Sequence, residues 1–550
     1  MPAASRAAPS QSLIRSSSVM AIGTLASRLT GLLRTLLIVI ALGQLALANS
    51  YNYANTLPNT VYNIAIGGIL TSVIVPLLIT AARRDRDGGE KYDQRMFTLV
   101  TLALLVITVA ATVAAGPIAR IYDPTATGDE EHLLVIFAYF FAPQIFFYGM
   151  SSLAGAVLNA RGHFASPMWT PVINNIVVIG VTGAYLVIAG KNQTPATITP
   201  FEVKLLGVGT TLGIVAQTVA LFPYLHRVGF RWRPRFDFKW REISEIGRMS
   251  GWMLAYVLTT QAAFLVTSRV ASQVEHKPSA QAVGAGFTAY QNAWLLFQLP
   301  YAIVAISVIT ALLPRMSSNA ASRRFDLVRS DFATGVRLGS VIVVPAALVL
   351  AVLGPPLAVV LLSWGSNNEK NAYFLGLMFA VFTLGLVPYM LFQLLLRVYY
   401  ALHDSKTPAL IGVATMIANA AVNYLALKFL QPADTILALA AGFGIANVVG
   451  VLIAWPSLSR RLGGLGGRVI GRSLFRMHAA ALPAAMFALT VAVMIGTKDG
   501  STFLPDRVAA AVTVVVGGAG ALVIYWLFAK ATGLTELTDL LASVKSRLRR

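Results

Sequence analysis

Cysteine is absent from the 550 residues, which excludes disulfides, thiolate metal centres and cysteine nucleophiles. Charge is scarce: Asp, Glu, Lys and Arg make up 12% of the chain, about half of the ~25% usual in soluble domains. Acidic residues are the rarer sign, 22 against 43 Lys and Arg, so the formal net charge is +21. No zinc knuckle or RNA-binding signature accompanies that charge, and nucleic acid is not an expected partner. The six histidines are scattered and form no nucleophile–base–orienter arrangement. A Walker motif is also missing, so ATP hydrolysis by the chain itself is not expected. No cofactor is called for. The first apolar block has no convincing cleavage site and is read as a retained span.

What the chain has in excess is apolar residues, 56% of the total. They fall in blocks of about 20, the length that carries a helix across roughly 30 Å of hydrocarbon. The blocks lie at 18–43, 52–80, 96–119, 133–160, 167–189, 204–227, 246–268, 286–313, 334–364, 372–401, 409–430, 435–457, 475–496 and 508–529. They predict an all-α polytopic membrane protein of about fourteen transmembrane helices. Many of the 44 glycines and 25 prolines lie inside these blocks, as membrane helices tolerate. Gly354-Pro355-Pro356 interrupts the ninth block, and a kink or an interfacial turn is expected there.

Loop charge sets the expected orientation. Arg83, Arg84, Arg86, Lys91 and Arg95 fall in one loop, and Arg227, Arg231, Arg233, Arg235, Lys239 and Arg241 in another. Later basic groups are Arg315, Arg323, Arg324 and Arg329, then Arg460, Arg461, Arg468, Arg472 and Arg476, then Lys545, Arg547, Arg549 and Arg550. All fall on one side of a fourteen-span scheme, whereas the alternate loops are poor in Lys and Arg and Asp123–Glu131 is acidic. Positive loops stay inside, so both termini are expected in the cytoplasm and the chain in the cytoplasmic (inner) membrane. Residues 231–245 mix aromatic and basic side chains, the pattern of an interfacial amphipathic helix.

Matches at a common offset indicate an internal repeat. Ser27-Arg28 and Ser268-Arg269 are 241 residues apart, as are Ala160 with Pro167 and Ala401 with Pro408, while Leu57-Pro58 and Leu299-Pro300 are 242 apart. An even number of spans per repeat keeps the halves in one orientation, so two parallel six-helix lobes plus a terminal helix pair are expected. The expected division is a disordered cytoplasmic tail at 1–17, an N-lobe at 18–230, a linker at 231–245, a C-lobe at 246–458, the last two spans at 459–530 and a basic cytoplasmic tail at 531–550.

Polar groups at membrane depth mark the candidate site. Arg28 and Arg34 lie six residues apart in the first span, about 9 Å along the axis and roughly 120° apart around it. No acidic residue lies in the first two spans to neutralise them. Arg28 is near enough to the cytoplasmic end to snorkel, or it lines a cavity; for the deeper Arg34 snorkelling is less plausible. A guanidinium in a wet cavity matches the oxygens of a phosphate. Asn52, Asn55, Asn59 and Asn63, preceded by Asn49 and interleaved with Tyr51, Tyr53 and Tyr62, form a stripe at helical spacing. The stripe reads equally as a cavity lining or as interhelical contact. Gln261, Arg269, Gln298, Gln393 and Arg397 add polar groups in later spans, and Arg397 beside Tyr399 and Tyr400 also reads as an interfacial anchor. Asn419 and Asn423 share a face, where they hold either a cation or an ordinary packing contact.

Several stretches carry a family resemblance: SRLTGLLRTLL (27–37), TLPNTVYNIAIGGILTSVIVPLL (56–78), SSLAGAVLNARGHFASPMWTPVINN (151–175), FQLPYAIVAISVITALLPRMS (297–317) and RVYYALHDSKTPALIG (397–412). Over residues 18–530 the chain resembles the MurJ/MviN lipid II flippases of the multidrug/oligosaccharidyl-lipid/polysaccharide exporter superfamily, most of all their actinobacterial branch. The resemblance implies export of the undecaprenyl-pyrophosphate-linked peptidoglycan precursor by alternating access. It also implies two six-span lobes, a lipid-facing groove formed with the last two spans, and cavity arginines on the pyrophosphate. Arg28 and Arg34 match two of those arginines. Other basic positions of the family are occupied by Tyr62 and Leu295, its acidic positions by Asn49 and Gln298, and the aspartate linked to sodium by Thr267. Arg269, the repeat image of Arg28, is the candidate replacement for a lost arginine.

The candidate substrate-binding set is therefore Arg28, Arg34, Asn49, Asn59, Tyr62, Arg269, Gln298 and Arg397, with Asn419 and Asn423 as a candidate cation site. Expected partners are the lipid-linked precursor, membrane lipids and cell-wall synthesis proteins. A flippase for the peptidoglycan precursor is the leading function. The alternatives are export of another polyprenyl-linked oligosaccharide or amphiphile, and a transport-inactive scaffold for cell-wall enzymes.

Overall fold

Apolar segments in hydrocarbon must satisfy their backbone groups internally, and helices do so. The computed structural model describes residues 10–64, 89–190, 192–237, 240–495, 506–534 and 536–537, and among them the regular structure is helical. The helices are α1 (Ser10–Leu42), α2 (Ala46–Ile64), α3 (Glu90–Val113), α4 (Ala115–Tyr122), α5 (Gly128–Phe141), α6 (Gln144–Ala160), α7 (Ala165–Ala189), α8 (Pro200–Val219) and α9 (Phe222–Arg227). Then come α10 (Trp240–Glu275), α11 (Pro278–Gln281), α12 (Phe287–Ala321), α13 (Phe325–Leu362), α14 (Glu369–Leu384), α15 (Leu386–Ala401), α16 (Lys406–Phe429), α17 (Pro432–Leu462), α18 (Gly467–Ile495) and α19 (Asp506–Ala531).

Among the described residues eleven helices are long and apolar enough to cross a membrane. The pair α14–α15, bent by 47° about Gly385, raises the number to twelve. The remaining two expected spans fall on α2 and the 35-residue α12. The second half of the second span and the start of the loop after it, with Arg83, Arg84 and Arg86, lie outside the described residues, as do residues 1–9 and the last thirteen.

The 241-residue offset reappears in the backbone. The pairs α2 and α12, α5 and α14, and α7 and α16 start 241 residues apart, and α6 and α15 end at the same offset. The loop after α6 closes with His163 N–H donating to the Leu158 carbonyl at 2.9 Å, and the loop after α15 with Asp404 N–H donating to Tyr399 at 2.9 Å. Both helices end through a left-handed residue, Gly162 at φ 78° and His403 at φ 59°.

Contacts divide the chain into two compact units, with the boundary inside α10 at Val257–Leu258 and Gly43–Leu45 grouped with the second. In the first unit Tyr92, Met96 and Phe97 of α3 pack with Leu153, Val157 and Leu158 of α6. In the second, Trp294, Phe297, Phe382, Tyr389 and Phe443 form a ring cluster with neighbouring centroids between 4.6 and 6.0 Å. Small residues on α18 (Ala480, Ala481, Ala484 and Ala488) bring α18 and α19 against Val341, Val344 and Leu353 of α13. Tyr525 of α19 donates to the Val341 carbonyl at 2.7 Å.

Three local expectations are corrected. Helix α1 begins at Ser10, inside the stretch expected to be a tail. Helix α13 runs unbroken through Gly354-Pro355-Pro356. Its neighbour explains this: a Cβ on Gly376 of α14 would stand 2.4 Å from the Pro355 Cα, so a close glycine-mediated crossing braces the helix where the prolines remove donors. The expected amphipathic helix over 231–245 is instead an irregular strap through Asp237, and helix begins at Trp240. Pro234 lacks a donor and disfavours helix at Arg233. The strap is held by α3: Thr98 accepts from Trp232 Nε1 at 3.2 Å and from Arg235 N–H at 3.1 Å, and Arg95 pairs with Asp237 at 3.2 Å.

Candidate functional site

One buried amide on α7 and two glycines of α1 place α1. Asn175 on α7 donates from Nδ2 to the Ser27 carbonyl and to the Thr30 hydroxyl, both at 3.0 Å. Gly31 leaves room for that amide, since a Cβ there would lie 3.5 Å from Nδ2. A Cβ on Gly23 would stand 2.7 Å from the Trp169 indole nitrogen, so the indole of α7 packs directly on the α1 backbone. On its other side α7 meets α8, where a Cβ on Gly213 would approach Asn174 Oδ1 to 2.4 Å. These contacts fix the rotation of α1 about its axis.

That rotation puts Arg34 inside the first unit. The side chain is half-buried, and its Nε is buried with no hydrogen-bond partner. Its charge reaches the hydroxyls of Tyr51 on α2 and Tyr148 on α6. Tyr51 is fixed by a 2.8 Å hydrogen bond to Thr210 and by edge contacts to Phe137 and Phe141 at 5.5 and 5.2 Å. Tyr62 tilts against Tyr148 with centroids 4.8 Å apart. Asn59 donates to the Asn55 carbonyl at 2.7 Å, and Asn55 Oδ1 is buried without a partner. Orphaned buried donors are rare and call for an explanation. Arg34 Nε is such a donor, whereas Asn55 Oδ1 is an acceptor that an anion would not satisfy.

Arg28 is half-buried and makes no ion pair among the described residues. Asn49 is buried and already engaged. In the second unit Arg269 is exposed and engaged, which does not favour it as a replacement cavity arginine. Gln298 is half-buried on α12. Arg397 on α15 has a buried Nε with no partner, and its guanidinium lies 5.9 Å from the Tyr400 ring centroid.

Asn419 and Asn423 meet Thr267 in a closed polar triad. Thr267 donates to Asn419 Oδ1 at 3.2 Å, and Asn423 Nδ2 donates to Thr267 Oγ1 at 3.0 Å and to Asn419 Oδ1 at 3.1 Å. All three side chains are buried, and Asn423 Oδ1 alone lacks a partner. The donor set contains no carboxylate, and apart from Asn423 Oδ1 the oxygens face amide and hydroxyl donors rather than a vacant centre. A hard cation prefers charged or numerous oxygen ligands. The geometry therefore fits a neutral clasp between α10 and α16 better than a cation site.

Tyr148 and Asn175 are the residues of this candidate site that residue-by-residue reading missed. Tyr148 had one usable signal, a second tyrosine at Tyr389, 241 residues on. Asn175 had none, because its role depends on which helix lies opposite.

The comparisons with known proteins agree with this architecture. The family model described as "Lipid II flippase MurJ" matches residues 38–544. A probable lipid II flippase MurJ from Haemophilus influenzae is 26% identical, covering 74% of this chain and 79% of that protein. One from Rhizobium meliloti is 25% identical over 97% of this chain and 96% of its own. Among solved structures, a lipid II flippase MurJ in an inward closed conformation aligns with TM-score 0.72 at 18% identity, over 93% of this chain and 99% of that one. An inward-facing multidrug resistance MATE family transporter of the MOP superfamily aligns with TM-score 0.64 at 14% identity, over 80% and 98%. Helical architecture, repeat and the family match over residues 38–544 together mean that the chain belongs to the lipid II flippase MurJ family, a family of membrane transporters.

Proposed function

We propose that this chain flips lipid II, the lipid-linked peptidoglycan precursor, from the inner to the outer leaflet of the bacterial cytoplasmic membrane. It works by alternating access of two parallel six-helix lobes, with both termini in the cytoplasm. The observation that carries the reading, beyond family membership, is Arg34: a guanidinium inside the first unit with a buried, unsatisfied Nε and no acidic partner among the described residues. An arginine held in that state is costly in a membrane protein unless a ligand completes it. The pyrophosphate of lipid II offers oxygens that suit its planar fork. Arg28, 9 Å or so further toward the helix start by helical rise, supplies a second positive group on the same path. Tyr62, Asn59 and the rest of the α2 stripe offer hydrogen bonds to the sugar–peptide headgroup, while the prenyl tail stays among membrane lipids. No covalent bond changes. Cell-wall synthesis proteins would consume the exported precursor.

The test is depletion of the protein followed by a leaflet-accessibility assay for lipid II, with complementation by Arg34→Ala and Arg34→Lys. Depletion should trap lipid II in the inner leaflet. Alanine should fail to restore export and lysine should restore part of it, because a point charge replaces the fork. Undiminished outer-leaflet lipid II after depletion would overturn the proposal.

A further inference from the structure

We infer that the second unit holds its own phosphate subsite at Arg397, the repeat counterpart of the Arg34–Tyr148 site. The inference rests on the flippase reading above and names a further contact for the same lipid-linked pyrophosphate.

The two repeats share a tyrosine and differ in where the arginine comes from. Tyr148 and Tyr389 are 241 residues apart. Each stands just beyond the break that separates α5 from α6 and α14 from α15. Each packs on a second tyrosine from the matching helix: Tyr62 of α2 lies 4.8 Å from Tyr148, and Tyr301 of α12 lies 4.6 Å from Tyr389. In the first unit the charge near the pair is Arg34 of α1. The position 241 residues beyond Arg34 is Glu275, whose carboxylate is buried and accepts from the Phe287 N–H at 2.9 Å. That position therefore brings no cation to the second tyrosine pair.

Arg397 does. It follows Tyr389 and Gln393 on α15 at steps of four, so the three share one face. Its charge reaches the hydroxyls of Tyr301 and Tyr400. The equivalent position in the first unit is Ala156, so each repeat carries one arginine at its tyrosine pair, supplied by a different helix in each. Arg397 makes no ion pair among the described residues, and its Nε is buried without a partner. An interfacial anchor would extend into water with its nitrogens solvated. A half-buried guanidinium whose Nε is buried and unsatisfied, with Tyr301 and Tyr400 close by, is instead poised for an anion, and phosphate oxygens match its fork.

The test is binding of undecaprenyl pyrophosphate to the full chain in nanodiscs, read by native mass spectrometry, with undecaprenol and inorganic pyrophosphate as the other two probes. Arg397→Ala should weaken undecaprenyl pyrophosphate binding about tenfold or more, the scale of one lost charge-assisted contact. Undecaprenol binding should not change. Arg397→Lys should fall between. Inorganic pyrophosphate should compete with the lipid in the wild type and compete more weakly in Arg397→Ala. If alanine fails to fold, judged by its melting transition, Arg397→Gln keeps the bulk and serves as the charge-removing variant. Wild-type affinity in Arg397→Ala or Arg397→Gln, alongside impaired binding in Arg34→Ala, would sink the second subsite and leave the flippase reading intact. Wild-type affinity in all of these variants would remove both.

Discussion

Replacing Asn175 with leucine should loosen the helix that carries both first-span arginines. The amide donates two partly buried hydrogen bonds of 3.0 Å to α1, one to the Ser27 carbonyl and one to the Thr30 hydroxyl. Neither acceptor would be stranded. Ser27 O also accepts from Thr30 at 3.2 Å, and the Thr30 hydroxyl also donates to Ala26 O at 2.8 Å. The loss is then that of two satisfied bonds, about 0.5–1.5 kcal/mol each and about 1–3 kcal/mol together, with no added desolvation penalty. Leucine has nearly the same volume and leaves little cavity. At 1.4 kcal/mol per tenfold, the population with α1 undocked should rise roughly 5- to 150-fold. The chain has no cysteine, so a single cysteine reports without background. Val39 on α1 is 1% exposed, and a cysteine there should be protected from a small membrane-permeant thiol reagent. Adding Asn175→Leu should raise its labelling rate fivefold or more and lower lipid II export in parallel, because protection follows the open population. A cysteine at Leu33, 48% exposed, should label equally in both backgrounds. Unchanged protection at Val39 together with unchanged export would show that Asn175 does not hold α1.

Gly376→Ala should abolish a monodisperse folded peak in detergent. Its Cβ would stand 2.4 Å from the Pro355 Cα and 2.6 Å from the Gly354 carbonyl, backbone that cannot yield as a side chain does, so the cost exceeds the usual ~1–3 kcal/mol of overpacking. Gly180→Ala, with nothing within 4 Å of the added carbon, should fold normally. Asp404, in the loop after α15, gives a pH signature. Burial pushes its carboxyl up, but the Thr407 hydroxyl and N–H and the Arg461 guanidinium outweigh burial and hold it below its ordinary value. A depressed carboxylate stabilises above its unfolded pKa and loses that contribution as pH falls through the folded one. Wild type should thus melt higher than Asp404→Asn by a constant margin near neutral pH, and the margin should close in acid; a margin that widens in acid would contradict the assignment. Thr267→Asp would place a carboxylate beside Asn419 and Asn423. Sodium in place of choline should raise the melting temperature of that variant and leave the wild type nearly unmoved; a sodium shift in the wild type would restore the triad as a cation site.

The amino-acid sequence by itself determined the all-helical membrane class. Backbone donors and acceptors have no water to turn to in hydrocarbon, so long apolar blocks admit few other solutions. It also determined the 241-residue repeat, because helix ends and turns are written in local residues: Ala160 with Pro167 and Ala401 with Pro408 bracket loops that close with the same hydrogen bonds. Arg34 was legible as an oddity from its depth alone. Tertiary structure decided which polar groups are spent and which are left open, since that depends on the helix lying opposite. Asn49, Asn419 and Asn423 looked as available as Asn55, yet the first is engaged and the other two close on Thr267. Gly354-Pro355-Pro356 reads as a break until Gly376 of the neighbouring helix braces it, and 231–237 reads as a helix until Thr98 takes up its donors. Each of these outcomes turns on a contact between residues far apart in the chain, where local propensity carries no information about the partner.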